Sequence, residues 1–336
     1  MSRRRFVHIL DDMELGGVTR ALRNFQHPIL QEFGYHETVD IRTGAVRASK
    51  PSDIAIIHFT SNWWKLPQLL KLRTQGRFSR LILIEHTYTD GFEKSEVRSH
   101  ARFRNMLRCA YRLVDTVVAV SNAQKQWMLD AGLAAPDKIV SIPQSRDCSD
   151  LLTLPLPEDR SGPIMIGAFG RFHRQKGFDL LLEAMAKIDP QTAKLKLAGT
   201  GPERLRLQGM ADKLPHVDIC KPFNCPLEFL KNIDLVAIPS RWEAFGLVGT
   251  EARTAGRPIL ASRIDGLHDQ LVHGGYSHEP ADVASIAYGI RRAASAPSLS
   301  ALGTSARREA AGEYDRMING WAKLLSISSS LAMEAA

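Results

Sequence analysis

Two clusters in the second half of the chain have the residue types and spacing to hold an activated sugar. Residues 170–177 read GRFHRQKG and set Arg171 and Lys176 between Gly170 and Gly177. Residues 241–251 read RWEAFGLVGTE, with Glu243 and Glu251 flanking an apolar run that contains glycine. Arginine can grip phosphate with two hydrogen bonds, and lysine acts on it as a point charge. A carboxylate accepts from paired vicinal hydroxyls. Cations for phosphates and carboxylates for hydroxyls together suit a nucleoside diphosphate with its attached sugar.

The surrounding pattern says what must position these groups. Ile164–Phe169 is apolar and strand-like, and Leu181, Leu182 and Met185 follow at helical spacing, so Gly170–Gly177 is a strand–loop–helix junction. Backbone amides at a helix start attract anions, and glycine lets a ligand approach closely. Ala198–Glu203 (AGTGPE) repeats the design, with Gly199 and Gly201 before a helix opened by Pro202. Phe245, Gly246 and Leu247 open another helix, whose first amides can take a phosphate oxygen. Glu243 then lies in the loop before that helix, and Glu251 about a turn and a half inside it. Taken singly, these motifs read equally as a solvated basic loop, a tight turn and two surface glutamates. Their combination is what points to one site.

In the first half, Gly16 and Gly17 stand in ELGGVTR after the first strand-like run, and Glu85-His86-Thr87 follows the apolar Leu81–Ile84. A histidine at the carboxyl end of a parallel strand is well placed for polar chemistry, and equally serves as a satisfied loop residue.

The 336 residues exceed one typical domain, and short β-rich runs alternate with amphipathic segments throughout. Strands are expected at 5–10, 37–41, 53–58, 80–84, 116–120 and 138–142, then at 164–169, 194–198, 216–219, 234–238 and 258–261. Helices are expected at 17–32, 63–74, 95–113, 122–131, 178–188, 202–213, 226–232, 246–255, 281–295 and from 299 to about 328. A proline- and glycine-rich linker at 143–163 separates two doubly wound α/β halves, with a ligand cleft between them at the carboxyl ends of the strands. No apolar run approaches the ~20 residues that cross a bilayer. The first residues have too short an apolar core for a signal peptide. The four cysteines fit no common zinc spacing and read as free thiols of a reducing cytoplasm.

Net charge is +8, with the excess concentrated in residues 1–155. On a helical wheel for 97–114, Arg98, Arg102, Arg104, Arg108 and Arg112 fall on one face. Such a face is usually just solvated. The charge bias and the nearby Trp63-Trp64-Lys65 favour attraction to an anionic membrane surface. Strong nucleic-acid binding has no supporting motif.

The motifs at 160–295 together resemble glycosyltransferase family 4, retaining enzymes of the GT-B fold. GRFHRQKGFDLLLEA is similar to that family's phosphate loop, AGTGPE to its glycine turn, and EAFGLVGTE to its paired-glutamate motif. ELGGVTR, the strand before His86 and VVAVSNAQKQWM carry a weaker likeness in the first half. The resemblance implies two Rossmann-like domains facing across a cleft. These are an acceptor-side domain at 1–155, a donor-binding domain at 156–312 and a C-terminal helix at 313–336 crossing back to the first. It implies that Arg171 and Lys176 bind the donor diphosphate, bordered by Gly16 and Gly17. Glu251 then takes the ribose, and Glu243 and His86 take the transferred sugar. The family's Pro-Asn-Gly at the domain junction is Pro143-Gln144-Ser145 here. The implied reaction moves a hexosyl unit, with retention, from a UDP or GDP sugar to an acceptor hydroxyl. A lipid-linked glycan at the inner face of the cell membrane is the expected acceptor. No Asp-X-Asp motif occurs, so the sequence requires no metal or other cofactor. A sugar-nucleotide epimerase on the same fold, or a non-catalytic sugar-nucleotide-binding protein, are the alternatives.

Overall fold

A computed structural model describes residues 4–11, 21–43, 46–50, 52–159, 162–223, 225–271 and 275–334. Gly16 and Gly17 lie outside them. The chain divides into two compact units, Met1–Arg146 with Tyr314–Ala336, and Asp147–Glu313.

The first unit holds a six-stranded sheet in the order β2-β1-β3-β4-β5-β6. Its strands are β1 (Arg5–Leu10), β2 (Tyr35–Asp40), β3 (Ile54–Ile57), β4 (Arg80–Glu85), β5 (Thr116–Ala119) and β6 (Ile139–Ser141). All neighbours pair in parallel. Parallel strands need crossovers that cover both faces, which is why Ile54–Ile57 and Thr116–Ala119 are buried throughout. One face packs against Met106, Leu107, Tyr111 and Trp127. Over the other lie Phe25 and the C-terminal helix Glu313–Glu334, whose Trp321 meets the Phe25 ring edge-on at 4.8 Å.

The second unit holds six parallel strands in the order β12-β11-β10-β7-β8-β9. They are β7 (Ile164–Arg171), β8 (Ala193–Thr200), β9 (Val217–Cys220), β10 (Leu235–Ile238), β11 (Ile259–Ser262) and β12 (Gly275–His278). The order reverses between β7 and β10. In open sheets of this kind the crevice outside the carboxyl ends at that reversal is where ligands bind.

Several expected elements differ. β12 was not expected: it is a short edge strand, only partly buried, and carries little apolar signal. The helix expected at 95–113 is two, Asp90–Glu96 and His100–Arg112, because Val97 and Ser99 adopt extended backbone. Within the helix expected at 17–32, the described part breaks into Leu22–Gln26 and Pro28–Gln31, since Pro28 cannot continue a helix hydrogen-bond ladder. The tail from Leu299 is also two helices, Leu299–Ala310 and Glu313–Glu334, parted at Gly312 with φ +77°. Part of the proline-rich stretch 143–163 is core rather than idle linker. Cys148, Leu151 and Leu154 are buried in the second unit. Arg257 donates to Pro155 O at 2.7 Å and Arg307 to Leu154 O at 2.8 Å. Burial holds the Arg257 guanidinium down to about 10.

Glycine is obligatory where the loops after β7 and β10 meet. Gly177 has φ +64°, and a Cβ there would lie 2.0 Å from Pro239 O. Gly209, by contrast, sits in the helix Arg204–Ala211 with open space around it. Gly177→Ala is expected to cost more than about 2 kcal/mol, from left-handed strain plus forced separation of the two loops. Gly209→Ala should stabilise by about 0.5–1 kcal/mol. Urea unfolding of the two variants checks both signs.

Candidate active site

The loops that follow β7 and β10 are bound to each other residue by residue. Arg241 N donates to Gln175 O at 2.7 Å, Arg241 Nη1 to Arg174 O at 2.8 Å, and Gln175 Nε2 to Trp242 O at 3.1 Å. Arg241 also clasps Asp179 with two bonds at 2.8 and 2.9 Å. Asp179 is held below the usual carboxylate range by this pairing, against the opposing effect of its burial.

This stitching delivers Lys176 to Glu243. Their side chains form an ion pair and are mostly shielded from solvent. Ser240 Oγ shares the same carboxylate oxygen at 3.2 Å. The Glu243 backbone is fixed in turn: its N–H donates to Asp265 Oδ2 at 3.0 Å, and its carbonyl accepts from Gly266 N at 3.1 Å. Sequence spacing alone does not indicate this pairing, since the two residues lie in different crossovers. An ammonium has three donors, so Lys176 can hold Glu243 and still reach an anion.

Arg171 ends β7 opposite Thr200 and is exposed. Gly170 and Gly199 are register partners, and a Cβ at Gly199 would lie 1.9 Å from Gly170 O. The two glycine turns therefore line one strand edge, with Gly201 packed against the Phe172 backbone. Gly246 caps the helix Leu247–Thr254, and Glu251 is buried within that helix. Phe245 is buried, while Leu247 is partly open. Gln270, which no motif singled out, donates to Phe245 O at 2.6 Å and Gly246 O at 3.2 Å. It fixes the helix entrance. Asp265 and Gln270 belong to a later crossover, so only the folded chain reveals their part.

In the first unit, His86 follows β4 and is the end of a row of imidazoles. His58 Nδ1 lies 3.3 Å from His86 Nε2, His8 Nδ1 lies 2.9 Å from His58 Nε2, and His36 Nδ1 lies 2.9 Å from His8 Nε2. His36 Nε2 is 3.4 Å from Leu30 O. Three of the four histidines were not anticipated, because they come from separate strands. Glu85 is buried behind His86, accepts from Thr87 N, Tyr88 N and Tyr111 Oη, and is pushed up by burial. It braces the turn that carries His86.

The five arginines expected on one face have unequal surroundings. Arg104 pairs with buried Glu93 at 2.7 Å, alongside the Trp127 indole N–H at 3.0 Å. Arg108 donates to Ala131 O and Gly132 O at 2.8 and 2.9 Å. Both thus serve the unit's own packing. Arg98, Arg102 and Arg112 are exposed, and Arg102 stacks over Trp63 at 6.0 Å. Trp64 is 90% exposed. No helix among the described residues is long and apolar enough to cross a membrane.

Residues 157–314 match the family model described as glycosyl transferases group 1. That stretch belongs to the glycosyl transferases group 1 family. An uncharacterized glycosyltransferase of Methanocaldococcus jannaschii is 31% identical over 186 residues, covering 53% of this chain and 45% of that protein. The lipopolysaccharide core biosynthesis mannosyltransferase LpsB of Rhizobium meliloti is 34% identical over 123 residues, 33% of this chain and 34% of LpsB. The chain thus spans less than half the length of these relatives. Among solved structures, Anabaena HepE in complex with UDP and glucose superposes with TM-score 0.74 at 19% identity, over 96% of this chain and 99% of that one. Sucrose-phosphate synthase of Thermosynechococcus elongatus gives TM-score 0.74 at 19% identity, over 99% and 100%. The likeness is one of fold: the chain is GT-B-like, with two Rossmann-like units and its last helix in the first.

The histidine row carries a pH signature. Burial lowers His36 and His86 from 6.5 to about 4, and lowers His8 and His58 well below the ordinary value. The unfolded chain therefore takes up protons that the folded chain refuses. Stability present above about 6.5 should be lost progressively as pH falls toward 4. Urea midpoints measured across this range are expected to fall on acidification, and a flat profile would contradict a buried neutral row.

Proposed function

We propose that this protein is a retaining glycosyltransferase. It transfers a hexosyl unit from a UDP- or GDP-linked sugar to an acceptor hydroxyl, on a lipid-linked glycan of bacterial surface polysaccharide synthesis. The observation that carries the reading is the Lys176–Glu243 pair at the strand-order reversal of the second unit. The family match of 157–314 supports it, and the likeness to LpsB supports the surface-glycan acceptor. We assign the diphosphate to Arg171 and Lys176, with the glycine edge Gly170, Gly199 and Gly201 leaving it room. The amides around Phe245, Gly246 and Leu247 add to that site, and Gly16 and Gly17 keep the diphosphate role that their motif implies. Glu251 takes the ribose, and Glu243 and His86 take hydroxyls of the transferred sugar.

In the reaction the bond from the anomeric carbon to the diphosphate oxygen breaks, and negative charge grows on the leaving oxygens. Fixed cations lower the barrier because they are already in place when that charge develops. The acceptor oxygen bonds to the same face of the anomeric carbon, and its proton passes to a leaving phosphate oxygen. Glu243 keeps the Lys176 ammonium oriented before the donor arrives.

The first test is release of UDP or GDP from a panel of nucleotide sugars with candidate acceptors. Lys176→Ala is expected to lower turnover by about 10²–10³-fold, the usual cost of removing one charge-stabilising group. Parental turnover by that variant rules out the phosphate assignment. Turnover of the donor sugar without any acceptor points to the epimerase instead.

The exposed Arg98, Arg102 and Arg112 with Trp63 and Trp64 fit a surface that meets anionic headgroups. Each basic residue adds about 1 kcal/mol near such a membrane. Sedimentation with vesicles containing anionic lipid should retain the parent chain and lose Trp64→Ser/Arg102→Glu, while neutral vesicles retain neither. Equal retention of both proteins would remove the membrane from the reading.

A further inference from the structure

The imidazole row is directional, and its direction sets the chemistry of His86. A neutral imidazole has one N–H and one bare nitrogen. His8 and His58 use both ring nitrogens within the row, and His36 uses one there and turns the other to Leu30 O. Each inter-ring bond consumes one donor and one acceptor, so neutral rings must all point the same way. A carbonyl can only accept. Leu30 O therefore calls for hydrogen on His36 Nε2. His36 Nδ1 is then bare and accepts from His8 Nε2–H. His8 Nδ1 accepts from His58 Nε2–H, and His58 Nδ1 accepts from His86 Nε2–H. The last bare nitrogen is His86 Nδ1.

The row has physical reasons to stay neutral. His8 and His58 are almost entirely buried. Phe25 covers the row, with its ring centroid 4.4 Å from that of His8 and 5.3 Å from that of His36. Phe6 stacks on His36 at 4.7 Å, and Trp321 closes over Phe25. A charged ring in this setting would lose its hydration and would also break the direction of the row, since an imidazolium has two donors and no acceptor. The row is not a metal site either. Zinc draws ring nitrogens toward one point at about 2.0–2.1 Å, whereas these meet in pairs at hydrogen-bond distance.

We propose that His36, His8 and His58 are positioning residues that fix the tautomer of His86, leaving its Nδ1 as a hydrogen-bond acceptor for a hydroxyl of the bound sugar. This rests on the assignment of His86 to the transferred sugar. It adds that the group His86 recognises must be a donor, a hydroxyl rather than a carboxylate or carbonyl oxygen. The three positioning residues do not touch substrate. They act by transmitting the polarity of one backbone carbonyl across four strands.

The test is long-range ¹H–¹⁵N correlation on the full-length chain labelled with ¹⁵N-histidine at pH 7.5, with the His86 ring identified by its loss in His86→Gln. The expected parent spectrum shows His86 protonated on Nε2 and bare on Nδ1. His36→Phe removes the anchor and should bring partial protonation to His86 Nδ1, whereas a merely structural role would leave its tautomer unchanged. A parent His86 carrying hydrogen on Nδ1, or averaging between tautomers as free histidine does, overturns the proposal whether or not His36→Phe folds. UDP-glucose and GDP-mannose are then added in turn. An upfield shift of His86 Nδ1 with either supports the hydroxyl contact. A fixed tautomer with no such shift under saturating binding overturns the sugar assignment and leaves the polarity of the row standing.

Discussion

The close approach of Gly177 to Pro239 is the constraint on which the candidate site depends. No side chain fits between them, so the loop after β7 lies directly on the loop after β10. Hydrogen bonds from Arg241 and Gln175 then lock the two loops at several points. Lys176 and Glu243 meet because their backbones are held this way. The ion pair follows from the backbone contact rather than producing it. Asp265 and Gln270 extend the same logic outward, since each ties a backbone group of the acidic loop to a later crossover. A partly shielded ammonium beside a carboxylate is a modest stabiliser at best. In the proposed reading its value lies in presenting a cation of known position to the donor's diphosphate.

The first unit solves a different problem with the same architecture. Its sheet also reverses order, here between β1 and β3, and the histidine row crosses that reversal. Four polar rings beneath an aromatic cover are costly unless each finds a partner. They find one another, and the remaining end is anchored on Leu30 O. Satisfying the buried donors therefore also fixes which nitrogen of His86 is bare. Core packing and the proposed site chemistry become one arrangement, with Phe25 packed on His8 and Trp321 on Phe25.

Arginine shows how context divides one residue type among tasks. Arg257 is wholly buried and holds backbone carbonyls, so its role is to fasten the segment around Pro155 into the second unit. Arg241 is committed to Asp179, and Arg104 to Glu93. Arg171, Arg98, Arg102 and Arg112 remain open to solvent. Of these groups, the exposed ones are the ones open to a phosphate in solution or at a lipid surface.

The sequence by itself determined the alternation of strands and helices, both glycine turns and the identity of the cationic and acidic loops. These are local properties: apolar periodicity, glycine where the chain needs positive φ, and charge placed just past a strand. It also carried the family likeness, because each motif that bears it is a short continuous stretch of chain. Tertiary structure alone decided the rest. Lys176 pairs with Glu243, Gln270 holds the helix entrance, the arginine face is split by a helix break, and three further histidines line up with His86. Each of those facts joins residues from different crossovers. Strand order sets which crossovers meet, and strand order depends on packing across the whole sheet rather than on any short stretch of chain.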